Sequence, residues 1–171
     1  MITLKKRTEN DTPIEEILVN HPLWTWRAGT WVTSKSDPTV KGVITIASYQ
    51  SIVVALADRP NMYFYKEMPY ALAGKGAQSI EDARLLTTPA TSGILMNRIS
   101  SSPQIEEMSI RNYAPNEDYY ITLFWDGAER PGGYNSTFTG KNLCSTLCAA
   151  LLEVLNCERE IEELRKEQSK E

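Results

Sequence analysis

The chain has 171 residues, of which 42% are hydrophobic and 23% are charged, and its formal net charge is −4. This composition is typical of a globular protein with one ordinary core, and the acidic balance disfavours nucleic acid as a partner. No apolar run approaches the roughly 20 residues that a membrane span needs, so we expect no membrane partner.

The three cysteines, Cys144, Cys148 and Cys157, lie on one C-terminal run with helical spacing. An odd and clustered set does not build a disulfide framework, so it predicts a reduced, cytoplasmic setting. The basic start of the chain is not followed by the apolar segment of a signal peptide, which gives the same expectation. His21 is the only histidine, so we expect no metal site, no cofactor and no cysteine nucleophile with an imidazole base.

A short helix is predicted near the start of the chain. Thr12 and Glu15 have the spacing of a capping box, and Pro13 between them suits the first helical position. The segment Asn20-His21-Pro22 predicts the end of this helix, because a residue before proline is biased away from the helical conformation. Residues 1–11 are expected to form an edge strand or a loose arm.

The segment LWTWRAGTWV, residues 23–32, carries three tryptophans and predicts a β-hairpin. Trp24 and Trp26 are two apart, so a strand would place their rings on one face. Strands are also predicted at three later segments, of which the second is ambiguous because its alanines favour a helix. These segments are residues 43–46, 48–57 and 62–65.

The middle of the chain predicts an alternation of short helices and strands. Capping residues and helical spacing predict three helical segments, at residues 79–86, 92–99 and 102–107. Alternating aromatic and β-branched residues then predict two strands, at residues 108–111 and 119–125. A short β–β connection is expected between these strands.

The C-terminal run, residues 140–168, predicts one long helix, because apolar residues recur at steps of four and three. Its first half, through Cys157, is apolar on most sides and is expected to pack under a sheet. Its second half, from Glu158, is charged around a thin stripe that contains Ile161 and Leu164. This stripe predicts either a solvated helix or a surface that assists a homodimer, since two heptads are too few for an independent coiled coil.

Together these elements predict an α+β fold: an antiparallel sheet with short helices and one long C-terminal helix packed across it. We expect a single domain over residues 1–157 and a charged helical extension over residues 158–171.

Two regions carry residue types that suit binding of a ligand or partner. The tryptophan segment combines aromatic rings with a guanidinium, as ligand pockets and single-strand nucleic-acid platforms do, although core packing is the competing interpretation of the rings. Residues 126–140, DGAERPGGYNSTFTG, predict a long loop ahead of the C-terminal helix, and binding residues often lie on such loops. The candidate binding residues are Trp24, Trp26, Arg27, Trp31, Trp125, Asp126, Arg130 and Tyr134.

No residue set predicts a catalytic centre. The loop Gly74-Lys75-Gly76, ahead of a capped helix start, has the pattern of an anion nest, although a plain glycine loop has the same composition. An enzyme that acts on a nucleotide-like substrate through this loop is therefore one alternative function. A single-stranded nucleic-acid binder that uses the aromatic rings is another.

The last third of the chain resembles a known kind of phage protein. A strand pair, a polar loop with threonine and the helix NLCSTLCAALLEVL, together covering residues 108–155, are similar to the end of small phage and prophage "ABA sandwich" domain proteins. The resemblance supplies no catalytic residue, and it implies a phage-encoded accessory protein acting in the host cytoplasm. The function expected from all these patterns is a non-catalytic binding protein that engages a host protein or sequesters a small nucleotide-like ligand.

Overall fold

A computed structural model describes residues 2–3, 12–67, 77–127 and 135–170. These residues form three α-helices and ten β-strands in two sheets, which confirms the predicted α+β class. In chain order the elements are β1 (Ile2–Thr3), α1 (Ile14–Val19), β2 (Trp31–Ser34), β3 (Lys41–Ala47), β4 (Ser51–Ala55), β5 (Met62–Tyr65), β6 (Gln78–Ser79), β7 (Ala83–Leu85), α2 (Pro89–Ser100), β8 (Ile105–Asn112), β9 (Tyr119–Trp125), β10 (Asn135–Gly140) and α3 (Leu143–Gln168).

The chain divides into two compact units, and each is described by itself. Unit 1 comprises residues 1–24 and 95–171, and unit 2 comprises residues 25–94. The boundary after residue 94 falls inside α2. The single domain over residues 1–157, with its extension at 158–171, stays a prediction.

Unit 1 contains a four-stranded sheet in the order β1-β10-β9-β8, in which β1 runs parallel to β10 and the other pairs are antiparallel. Burial alternates along β9, where Ile121, Leu123 and Trp125 are at most 2% exposed. α3 contacts β9 and β10, which confirms the predicted long helix packed against a sheet. The buried residues of α3 all lie in its first half, between Cys144 and Leu155, as its apolar composition predicts.

Unit 2 contains a six-stranded sheet in the order β6-β5-β4-β3-β2-β7, antiparallel except for the β5–β6 pair. Alternate side chains of its strands form one core face, because successive residues of a strand point to opposite sides. The core cluster is Val32, Ile44, Ile52, Val54, Met62, Phe64 and Ala83. The strands predicted at 43–46, 48–57 and 62–65 are confirmed as β3, β4 and β5.

The prediction of a β-hairpin in the tryptophan segment is wrong. Residues 24–27 form no strand, and only Trp31 of the three rings begins one. β2 pairs instead with β3 and with β7, which lies about fifty residues further along the chain. The first helix is confirmed, but its capping box is wrong: Pro13 occupies the N-cap position and α1 has no side-chain cap hydrogen bond.

Three predictions for later segments are also wrong. The expected loop at 126–140 ends early, because residues 135–140 form β10 and Phe138 is buried. The segment 102–107 leads into β8 instead of forming a helical turn. The segment 79–86 contains only a 3₁₀ turn at Ile80–Asp82, capped by the Ser79 hydroxyl, before β7 begins. The helical segment at 92–99 and the strands at 108–111 and 119–125 are confirmed as α2, β8 and β9.

Candidate functional site

The predicted binding tryptophans do not form one cluster. Trp24 is half-buried in unit 1, whereas Trp26, Arg27 and Trp31 belong to unit 2. Trp26 packs against the core cluster of unit 2, and Arg27 is exposed. Trp31 is half-buried and adjoins Val32, which faces the core, so the Trp31 ring lies on the opposite face of the sheet.

The second predicted region is divided in the same way. Trp125 is 2% exposed, and its indole nitrogen donates to the Ser136 hydroxyl at 3.1 Å, so this ring is a core residue of unit 1. Asp126 is exposed at the end of β9, and its backbone N–H donates to the Gln104 carbonyl at 3.0 Å. Arg130 and Tyr134 lie outside the described residues, as does the Gly74-Lys75-Gly76 loop.

An open cleft of about 560 Å³ lies beside Trp31 in unit 2. Its lining combines apolar side chains and threonine hydroxyls with one cationic residue, Lys41. The lining residues are Trp31, Lys41, Leu86, Thr87, Thr88, Pro89 and Ala90. The volume falls within the range of about 300–1,000 Å³ that small-molecule sites occupy. Of the sequence-predicted residues that the structure describes, Trp31 alone lines this cleft.

Hydrogen bonds hold the two walls of the cleft together. The backbone N–H of Trp31 donates to the Thr91 hydroxyl oxygen at 3.1 Å, and the Leu86 N–H donates to the Trp31 carbonyl at 2.9 Å. Thr88 caps α2, because its hydroxyl oxygen accepts from the Thr91 N–H at 3.2 Å. Thr91 is fully buried, so the first turn of α2 is fixed against the start of β2.

The electrostatics of this cleft favour an anion. The Lys41 side chain is exposed and makes no ion pair with any described residue. The first turn of α2 carries no acidic residue, so the positive end of the helix dipole is not offset there. Unit 2 has seven Lys and Arg against five Asp and Glu, a net charge of +2 within a chain of net charge −4. A cation and an aromatic ring therefore share one open surface.

Lys41 and the Leu86–Ala90 segment are the site residues that sequence reasoning missed. The segment had a signal, since Thr87-Thr88-Pro89 is a helix start. The position of Lys41 depends on the β2–β3 register, in which Trp31 pairs with Val43 and Thr33 with Lys41. That register places Trp31 and Lys41 on the same face as diagonal neighbours.

A second cleft, of about 360 Å³, lies on unit 2 near the β3–β4 turn. Its cation already has a partner: the Lys66 ammonium lies 3.8 Å from the centroid of the Tyr49 ring and donates to the Tyr49 hydroxyl at 2.5 Å. Glu67 also lines this cleft and opposes an anion. An anion is therefore less favoured in this cleft than in the Trp31 cleft, and Lys66 can serve as a control for Lys41.

Unit 1 holds a polar cluster that has catalytic residue types. The Arg98 guanidinium donates two hydrogen bonds to the Glu158 carboxylate, at 3.1 and 2.6 Å, and the Ser102 hydroxyl donates to the same carboxylate at 2.8 Å. Burial by itself raises the pKa of Glu158, but these hydrogen bonds and the Arg98 charge outweigh it and lower the pKa below its usual value. These three hydrogen bonds favour the ionised carboxylate and connect α2 and the segment after it to α3.

Both ring nitrogens of His21 are also engaged in hydrogen bonds. Its Nδ1 accepts the Leu23 backbone N–H at 3.1 Å, so the ring proton is on Nε2, which lies 3.1 Å from the Asn156 side-chain oxygen. Burial lowers the pKa of His21, and the charge of Arg159 acts in the same direction. A neutral ring with both nitrogens engaged ties the turn after α1 to α3 and is not available as a general base.

The cysteines do not form a metal site with other residues, since the described part of the chain holds no group of three potential ligands. Cys144 and Cys148 are buried on α3, and the neighbouring Cys144 and burial both raise the pKa of the Cys148 thiol. A raised pKa leaves the thiol protonated, which suits packing and not nucleophilic attack.

On the charged half of α3, Ile161 is half-buried and Leu164 is 58% exposed. The predicted homodimer stripe on this half stays a prediction. Among the described residues, every helix is too short or too polar to cross a membrane.

No protein family, curated protein or solved structure matches this chain. The resemblance of residues 108–155 to phage ABA sandwich proteins therefore stays a prediction.

Proposed function

We propose that the protein is a non-catalytic binding protein that takes a small nucleotide-like ligand in the Trp31 cleft. The observation that carries this proposal is that the Trp31 ring and the Lys41 ammonium flank one open cleft, and that Lys41 makes no ion pair with a described residue. The ligand has a flat ring that packs on the indole and an anionic group that reaches Lys41.

The apolar lining supports the ring component. Trp31, Leu86 and Pro89 offer hydrocarbon surface, and stacking of a base on an aromatic side chain contributes about 1–3 kcal/mol. The Thr87 hydroxyl supplies a polar contact at the same wall, and the start of α2 favours negative charge.

Calorimetric titration with AMP and with adenosine tests the proposal. AMP is expected to bind the native protein saturably and more tightly than adenosine, because only AMP carries the phosphate. Trp31→Ala is expected to weaken the binding of both ligands by about thirtyfold, which corresponds to about 2 kcal/mol, the middle of the stacking range. Lys41→Met is expected to weaken the binding of AMP and to leave the binding of adenosine unchanged.

The matched control is Lys66→Met, which removes an exposed lysine of the same unit at the second cleft. It should bind AMP as the native protein does. Absence of saturable AMP binding to the native protein, or equal weakening by Lys41→Met and Lys66→Met, would show that the Trp31 cleft is not the site.

Single-stranded nucleic acid is a second candidate, supported by the outer face of the unit 2 sheet. The cross-strand register places Trp31 in a row with Val43 and Ala55, and Tyr63 in a row with Val53, all on the face opposite the core. Lys41 and Arg84 are the only charged residues in the strands of this sheet, and both are basic.

A fluorescence titration with oligo(dT) at two salt concentrations separates the candidates. Quenching at low salt that weakens steeply as salt rises indicates a strand that crosses the face and contacts several cations. AMP binding without oligonucleotide binding indicates that the cleft alone is the binding site.

Three ideas remain predictions from the sequence: the engagement of a host protein, the cytoplasmic and phage-encoded setting, and the Gly74–Gly76 enzyme alternative.

A further inference from the structure

β8 is the end strand of the unit 1 sheet. It pairs with β9 along one edge, and no described residue pairs with its other edge. With eight residues it is the longest strand described. A long edge strand presents a row of backbone N–H and C=O groups that another strand can pair with. The edge is therefore a candidate interaction surface, and its sequence indicates which strand fits.

The side chains of β8 are arranged symmetrically about Ser109. Met108 and Ile110 are half-buried and lie opposite Leu123 and Ile121, so they share the apolar face of the sheet. The other face carries three side chains in a row, with a carboxylate and a guanidinium on either side of a hydroxyl. They are Glu107, Ser109 and Arg111.

Glu107 and Arg111 are four residues apart on one strand, which separates their Cα atoms by about 13 Å. Both side chains are exposed, and neither makes an ion pair with a described residue. The side-chain hydrogen bond of Arg111 is with Tyr113, a residue without a carboxylate that lies two positions further along the chain. The two charges are thus not satisfied by each other within one chain.

We propose that β8 pairs antiparallel with β8 of a second copy of this chain, with the two-fold axis at Ser109. In that register Glu107 of each copy lies opposite Arg111 of the other, and Met108 lies opposite Ile110. The two four-stranded sheets join into one. Opposite charges and apolar residues placed directly across from each other stabilise antiparallel pairs.

Other registers lose these contacts. A shift of the pairing by one residue places the apolar face of one sheet beside the polar face of the other. A shift by two residues centres the pair on Met108 or on Ile110 and places Glu107 or Arg111 opposite a residue without the complementary charge. Ser109 is therefore the one centre that satisfies both faces, so the strand is complementary to itself.

Sedimentation velocity of the full chain over a concentration series tests the proposal. The native protein is expected to pass from monomer to dimer as its concentration rises. Arg111→Glu places Glu107 opposite a second glutamate twice per dimer, and Glu107→Arg places two arginines opposite each other twice. Each variant is expected to weaken the dimer by about tenfold or more.

Mixing is the decisive measurement. The Glu107→Arg and Arg111→Glu chains are each weakened alone, but a 1:1 mixture restores opposite charges at both contacts and is expected to form a heterodimer of native affinity. The double variant Glu107→Arg with Arg111→Glu is expected to form a native-like homodimer. A variant that merely misfolds is not rescued by mixing, so folding defects are distinguishable from loss of the interface.

Leu164→Asp is the control for the other predicted interface, on the charged half of α3. It should leave the dimer intact. A native protein that stays monomeric through millimolar concentration would overturn the proposal. So would a dimer that resists both single substitutions or that Leu164→Asp abolishes, since association would then use another surface.

Discussion

The ion pair between Arg98 and Glu158 gives the sharpest stability prediction. Arg98 on α2 donates two hydrogen bonds to Glu158 on α3, and the two side chains are 19% and 15% exposed. Arg98→Met keeps most of the hydrocarbon stem and removes both donors. Glu158 then keeps only the Ser102 hydroxyl as a donor, at 2.8 Å. A largely buried carboxylate is left without its counter-charge.

The expected loss lies between two limits. Breaking an exposed pair costs about 1 kcal/mol or less, and breaking a fully buried pair by removing one partner costs about 3–5 kcal/mol. Since these side chains are mostly but not fully buried, Arg98→Met should lower the free energy of unfolding by about 2 kcal/mol. Urea unfolding, monitored by circular dichroism, measures this loss. Adding Glu158→Gln should recover part of the loss, because no charge is then left buried.

The matched control lies on the same helix. Arg159 and Glu163 are 3.9 Å apart and 44% and 64% exposed, so Arg159→Met should cost only a few tenths of a kcal/mol. Equal losses for Arg98→Met and Arg159→Met would refute the reasoning.

The pH dependence of the stability is a second check. Because folding lowers the pKa of Glu158, the stability it contributes is present above its unfolded value near 4.5 and is lost as pH falls through the folded value. Arg98→Met should remove this decrease in stability at low pH.

Three further predictions use other parts of the structure. Gly42→Ala should lower the free energy of unfolding by about 1–3 kcal/mol, because a Cβ there would lie 2.5 Å from the Ala55 carbonyl oxygen. Gly93→Ala, with nothing within 4 Å of the added Cβ, should raise the free energy of unfolding by about 0.5–1 kcal/mol. An unchanged stability of Gly42→Ala would contradict the close packing around Gly42, and a loss in Gly93→Ala would contradict the open space around Gly93. His21 has a lowered pKa in the folded state, so its contribution to stability is present above pH 6.5 and is lost as pH falls toward the folded value. His21→Gln should therefore reduce the dependence of the free energy of unfolding on pH between about pH 7 and 5. An unchanged pH dependence would exclude this linkage. A thiol reagent should modify Cys157, which is half-buried, before Cys144 and Cys148, which are at most 3% exposed, and rapid reaction of all three without denaturant would show that α3 is not packed as described.

Elements with strong local patterns could be predicted from the sequence. The first half of α3 is apolar on most sides, and a helix of that kind is stable only when buried, so its position against a sheet follows from composition. β9 alternates buried and half-buried residues from Ile121 to Trp125 as its sequence pattern indicates. In both elements the local periodicity and the tertiary packing favour the same structure.

Contacts between distant segments could not be predicted in this way. The hairpin interpretation assumed that the tryptophan segment pairs with itself, whereas Val32 of β2 lies between Gly42 and Leu85. β10 has the polar sequence NSTFTG, and it is a strand because β1 and β9 satisfy its backbone on both sides. The hydrogen bond between His21 and Asn156 spans 135 residues and has no local signal.

The structure also distinguishes three of the four tryptophans, Trp26, Trp31 and Trp125, by what each ring can still contact. Trp125 is enclosed and donates to Ser136, and Trp26 covers the unit 2 core, so a ligand that stacked on either would have to displace packed side chains. Trp31 needs no such displacement, because its ring stands on the open face, opposite to Val32. A half-buried indole also leaves apolar surface in water, which favours any flat ligand that covers it. Of these three rings, Trp31 is therefore the one that the proposed ligand would contact.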